Sequence, residues 1–207
     1  MKRIIITVII FICSNSITAQ VKVGIKGGWN YSSARAVYSG IKQSTGFISG
    51  YGAGVIAKIP FDGVLHFSPS VMINRRGFII KPSSGPNTKE QYALTYLDII
   101  PALSTDFIHG DNSFTISLGP DFGFTKFGKL QTTTSSNVTT SEKLKFGFAE
   151  YGWFDLGLQA NAGYHMKKTF IEVGYFLGLA NINNNEETDQ RNIQNRVLSL
   201  SVGYYIR

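Results

Sequence analysis

The chain has 207 residues, a formal net charge of +7, and only 16% charged residues against 13% aromatic ones. So little charge is unusual for a soluble domain, and so many aromatics exclude disorder, because disordered chains are charge-rich and aromatic-poor. A single cysteine excludes a disulfide framework, and no apolar run in the body approaches the ~18 residues of a membrane helix.

The first segment reads as an address. Met1-Lys2-Arg3 is basic, Ile4 to Ile12 is apolar but for Thr7, and Ser14 to Ala19 is small and polar. This predicts a secretory signal peptide over residues 1–19, cut after Ala19. Residues 20–207 then form one exported domain.

After residue 20 the pattern has a period of two. Val21, Val23, Ile25, Trp29 and Tyr31 alternate with Lys22, Gly24, Lys26, Gly28 and Asn30. The same alternation recurs near 45–59, 64–76, 92–104, 113–126, 150–164, 169–180 and 195–206. These stretches predict eight strands long enough for the ~9–11 residues that a tilted strand needs to cross a bilayer. The connections alternate too. Pro60–Gly63, 106–112 and His165–Lys168 are short, whereas 33–44, 77–91, 127–149 and 181–194 are long and polar. Short turns at one end and long loops at the other fit an outer-membrane barrel. The expected fold is all-β: a monomeric, eight-stranded, antiparallel up-and-down transmembrane β-barrel with both termini in the periplasm.

Alternation alone does not say which face is outside. A soluble lipocalin-like barrel would turn its apolar face inward. Two features favour the membrane: a polar face rich in glycine and serine, and aromatics near strand ends (Trp29, Tyr31, Phe124, Phe154, Tyr164 and Tyr204). Pro69, Pro101 and Pro120 fall inside strands and predict bulges there.

Eight strands leave a lumen with room only for filling side chains. The polar-face charges Lys22, Lys26, Lys58, Arg76, Asp98, Asp121, Asp155, Glu172 and Arg196 are therefore read as a paired plug rather than an ion path. His66 points into the lumen near the short-turn end, and His109 and His165 lie in the turns. That is the wrong end for an enzyme acting on lipid A of the outer leaflet. No Gly-x-Ser-x-Gly elbow, phosphate loop or paired-histidine spacing is present. No catalytic residue, cofactor or metal site is expected. The loop end carries twelve bases against six acids. Arg75, Arg76, Lys126, Lys129 and Lys145 are expected contacts for lipopolysaccharide phosphates. Outer-membrane lipid is thus the expected partner, and nucleic acid is not needed to explain the basic balance.

Several segments resemble the PorT-like outer membrane β-barrel family of Bacteroidetes. They are Val23–Asn30, Tyr96–Leu103, Phe154–Leu158 with Ala162-Gly163-Tyr164, Gly178–Ile182, and the ending Leu198–Tyr205. The resemblance implies a barrel over nearly all of the mature chain, without a defined activity. It is consistent with a structural or adhesion protein acting through extracellular loops. One namesake is associated with type IX secretion, so an accessory role in secretion or envelope assembly, working through protein partners, is the alternative. A lipid A-modifying enzyme is more remote.

Overall fold

The computed structural model describes residues 21–81, 88–109, 112–134, 136–147, 150–185 and 189–206. The expected signal peptide and Cys13 lie outside the described residues. Among the described residues ten strands form: β1 (Lys22–Tyr38), β2 (Ile41–Lys42), β3 (Ser44–Asp62), β4 (Leu65–Lys81), β5 (Lys89–His109), β6 (Asn112–Thr133), β7 (Thr139–Lys143), β8 (Phe154–Met166), β9 (Thr169–Gly178) and β10 (Asn192–Tyr205). Eight of them, in the order β1-β3-β4-β5-β6-β8-β9-β10, make an antiparallel up-and-down ring. The ring closes through β1 and β10, paired from Gly24↔Tyr205 to Val37↔Asn192. The two short strands add to β1 and β6 beyond the ring.

The structure decides the question that alternation left open. Val55, Ile73, Leu103 and Val202 point outward and are exposed, and Lys58, Asp98, Asp155 and Glu172 point inward and are buried. An outward apolar band thus encircles all eight ring strands, as a barrel solvated by lipid requires. The interior glycines keep strands and inward side chains close. A Cβ on Gly123 would stand 2.9 Å from an Asp98 carboxylate oxygen and 3.2 Å from the Arg76 guanidinium.

The bulges expected at the prolines do not occur. Register is unchanged on either side of Pro69, from Ile56↔Ser70 to Ile59↔Phe67. It is equally unchanged around Pro101 and Pro120, from Ile99↔Phe122 to Leu103↔Leu118. Pro69 faces Pro101 across β4 and β5, and the same register sets Pro101 against Pro120. The prolines form one outward row across three strands. Each proline lacks the N–H that would donate to the ladder, and the strands keep their register across all three.

The walls are uneven. β5 and β6 run 21 and 22 residues, whereas β9 runs 10. At ~3.3 Å per residue, β6 is about 70 Å long, well beyond what crossing demands. Much of the expected loops 77–91 and 127–149 is therefore strand. The expected turn at 106–112 shrinks likewise, since β5 reaches His109 and β6 starts at Asn112.

Candidate functional site

Three groups of side chains fill the lumen. Nearest the termini, Lys58 Nζ donates to both Asp106 oxygens at 2.6 and 2.7 Å, and Thr115 Oγ1 donates to the same carboxylate at 2.7 Å. His66 Nε2 stands 3.8 Å from Asp106. Beside this group, Lys26 Nζ donates to Glu172 at 2.6 Å, and His165 Nε2 lies 3.4 Å from the other Glu172 oxygen. His165 stacks on Phe170 with ring centroids 4.9 Å apart.

At mid-height Arg76 donates to Asp98 and lies 4.0 Å from Asp155. Its guanidinium is sandwiched between the rings of Tyr96 and Phe176 at 4.3 and 4.4 Å. Neutral amides complete the shell. Asn74 Nδ2 donates to Asp98 at 2.6 Å, and Asn195 Nδ2 donates to Asp155 at 2.8 Å. Buried Asp121 faces the same centre, with Oδ1 lacking a hydrogen-bond partner. Burying so many charges is tolerable only because bases and acids meet within one shell. Cavities of about 50 and about 20 Å³ remain in this part of the lumen. Each has room for a few waters at most.

Toward the loop end the interior turns apolar. Ala34, Ala36, Phe78, Ile80, Tyr92, Leu94, Tyr96, Ile182 and Ile193 form one buried cluster, with Leu144, Phe146 and Tyr151 packed on it. The segments 144–147, 150–152 and 179–185 fold over the low wall as a cap. Leu144 N–H donates to the Gly128 carbonyl at 3.0 Å, Gly152 N–H to Ile182 at 2.8 Å, and Asn184 N–H to Glu150 at 2.9 Å. Arg191 ties the cap down, donating to Glu90 at 2.8 Å and Asp189 at 2.7 Å. Burial alone would lower the Arg191 pKa, but these two carboxylates hold it above its usual value. Burial pushes the Tyr151 phenol up to about 12.

The expected lumen residues divide as follows. Lys26, Lys58, Arg76, Asp98, Asp121, Asp155 and Glu172 face the lumen. Lys22 is exposed at the terminal rim, its Nζ 5.9 Å from the Tyr205 ring centroid. Arg196 is a correction: it is exposed and shares the outward phase of Leu198 and Leu200. Arg76 is a second correction. It is buried in the lumen and unavailable as a lipid contact, whereas Arg75, Lys126, Lys129 and Lys145 are exposed. Arg191, one of the twelve bases at the loop end, is neutralised within the cap by Glu90 and Asp189. Sequence reasoning missed Asp106 and misplaced His165 in a turn. Both continue their strand's lumen phase, Asp106 after Ala102 and Ser104, His165 after Asn161 and Gly163. Following the alternation one or two residues past the expected strand ends at 104 and 164 would have found them.

Among the described residues no group of three or more His, Cys, Asp or Glu side chains is placed to hold a metal. No curated protein matches the chain. Three solved structures are similar to it. Neisserial surface protein A is 14% identical, with 89% of this chain and 97% of that chain covered and a TM-score of 0.47. Ail, the attachment invasion locus protein of Yersinia pestis, is 15% identical, with 89% and 97% covered and a TM-score of 0.42. OprG from Pseudomonas aeruginosa is 14% identical, with 90% and 96% covered and a TM-score of 0.43. The family model described as "Outer membrane protein beta-barrel domain" matches residues 14–184. With a closed antiparallel ring, an outward apolar band and a match over most of its length, the chain belongs to the outer membrane β-barrel family.

Proposed function

We propose that the protein is a closed outer-membrane scaffold that presents a surface for interaction, working without catalysis and without conducting solutes. The observation that carries this reading is the double filling of the lumen. Ion pairs occupy its terminal and middle parts, and an apolar cap occupies the loop end. A conduit needs a continuous wet path, and eight strands already leave little room for one. The tall β5–β6 wall and the β6–β7 hairpin stand beyond the apolar band. They offer exposed polar surface to lipopolysaccharide headgroups or to an extracellular protein. In this reading the termini lie in the periplasm and the barrel is a monomer. Arg75, Lys126, Lys129 and Lys145 meet phosphates of the outer leaflet. The resemblance of the segments Val23–Asn30 and Leu198–Tyr205, which pair at the ring closure, is what favours placing the chain with the PorT-like barrels.

The test is conductance. The purified, folded protein is inserted in a planar bilayer, and its heat-dependent gel shift verifies the barrel. The expected current is at background. Long-lived unitary openings by the wild type would overturn the reading.

A further inference from the structure

We propose that an outward groove at the β1–β10 closure is a binding site for a phosphorylated, acylated lipid of the outer leaflet. The inference rests on the reading above, in which the loop end faces outward. It concerns a different wall from the one carrying Arg75 and Lys126.

The groove has a volume of about 440 Å³, and Arg35, Lys42, Arg196, Tyr31, Phe47 and Leu198 are among its lining residues. Its polarity is ordered along the barrel axis. Tyr31 and Phe47 stack with centroids 4.5 Å apart and planes within 5°, making a flat apolar wall. Leu198 continues that wall on β10. One outward position further along β10 stands Arg196, opposite Ser33 in register. Arg35 lies two residues beyond Ser33, and Lys42 pairs with Val37 just past it. The bases therefore begin where the apolar band ends, at the level of lipid headgroups.

These three bases differ from those built into the lumen and the cap. Lys26, Lys58, Arg76 and Arg191 all have a carboxylate partner. Arg35 donates only to the neutral Gln194 amide, at 3.5 Å. Among the described residues Lys42 and Arg196 have no acidic partner, and no carboxylate lines the groove. Three cations gathered without an anion call for one from outside. Two guanidiniums lining one groove, at diagonal positions of the β1–β10 register, favour a group that accepts paired hydrogen bonds, as phosphate does. The apolar wall beneath requires that this phosphate carry hydrocarbon chains, which makes the occupant a lipid and not a soluble anion.

The full chain in nanodiscs of neutral phosphatidylcholine, doped with bis-phosphorylated lipid A, tests this by native mass spectrometry of retained lipid. Arg35→Gln with Arg196→Gln is expected to cut retention about tenfold or more, the loss of two charge-assisted bonds. Lys22→Gln with Lys168→Gln, the same change in charge at exposed positions of the terminal rim, is expected to leave it within about twofold, the range of weak exposed charge contacts. Wild type is expected to discriminate against dephosphorylated lipid A of identical acylation. Equal loss in both variant pairs would overturn the site, as would equal retention of the dephosphorylated lipid or displacement by millimolar inorganic phosphate. The heat-dependent gel shift checks that each variant folds. If the glutamine pair does not fold, Arg35→Lys with Arg196→Lys keeps the charge and removes the forked donors, and weaker retention is again expected. A wild type that stays in the nanodisc without selecting lipid A sinks this site alone; one that fails to stay in the bilayer sinks the scaffold reading.

Discussion

The two halves of the lumen are closed by opposite chemistry. The terminal and middle parts are filled by charged side chains in which every base has a carboxylate partner, and the loop end by an apolar cap. An apolar cap stabilises by burial and tolerates some misfit, because dispersion contacts are many and individually small. A charge cluster has no such tolerance. Each buried base has its carboxylate at hydrogen-bond distance, and deleting the base leaves buried acids uncompensated. The charged half should therefore be the more brittle, and single substitutions can test that ranking.

The largest effect is expected at Arg76. Arg76→Leu leaves Asp98, Asp121 and Asp155 without their guanidinium and should destabilise the barrel by about 4 kcal/mol. The midpoint of urea unfolding in detergent, followed by the heat-dependent gel shift, reports it. In the cap, Phe78→Ala opens a void beside Tyr92 and should cost about 3 kcal/mol in the same assay. If the order of these two losses is reversed, the brittleness argument fails. Next comes Asp106→Asn, which leaves the Lys58 ammonium with a neutral acceptor in a nearly buried site. About 2 kcal/mol is expected. A double variant that also replaces Lys58 by Met should recover part of that loss.

The smallest effect sharpens the comparison from the cap side. Tyr151 is held neutral, its pKa pushed up from 10.0 to about 12 by burial. An acid whose folded pKa is raised contributes stability that is fully present below pH 10 and is lost as the pH climbs through 12. The cap should thus loosen over that window while the ring persists. An alkaline difference titration of wild type against Tyr151→Phe should place the Tyr151 midpoint near 12. A midpoint near 10 would mean that the cap is already open.

Much of the barrel was legible because strand alternation is local. The phase of Val21 to Tyr31 or Leu198 to Tyr204 is set by neighbours two residues apart, and it assigns most lumen charges correctly. Arg196 was misassigned because polarity outweighed phase. Its even number places it with Leu198 and Leu200. The cap was invisible for a different reason. Leu144, Phe146, Tyr151 and Ile182 follow no period, because a segment folded over an opening has no repeating face. The Arg35–Lys42–Arg196 groove was hidden because its bases lie far apart in the chain and meet only when β1 and β10 close the ring.

The sequence by itself determined the strands, their phase and their up-and-down order, since these depend on patterns a few residues long. Tertiary structure decided which face meets lipid, how three prolines share one row, and which acid each buried base finds. Those outcomes depend on register between strands distant in sequence. A base such as Lys58 selects Asp106, 48 residues away, only after β3, β4 and β5 have aligned.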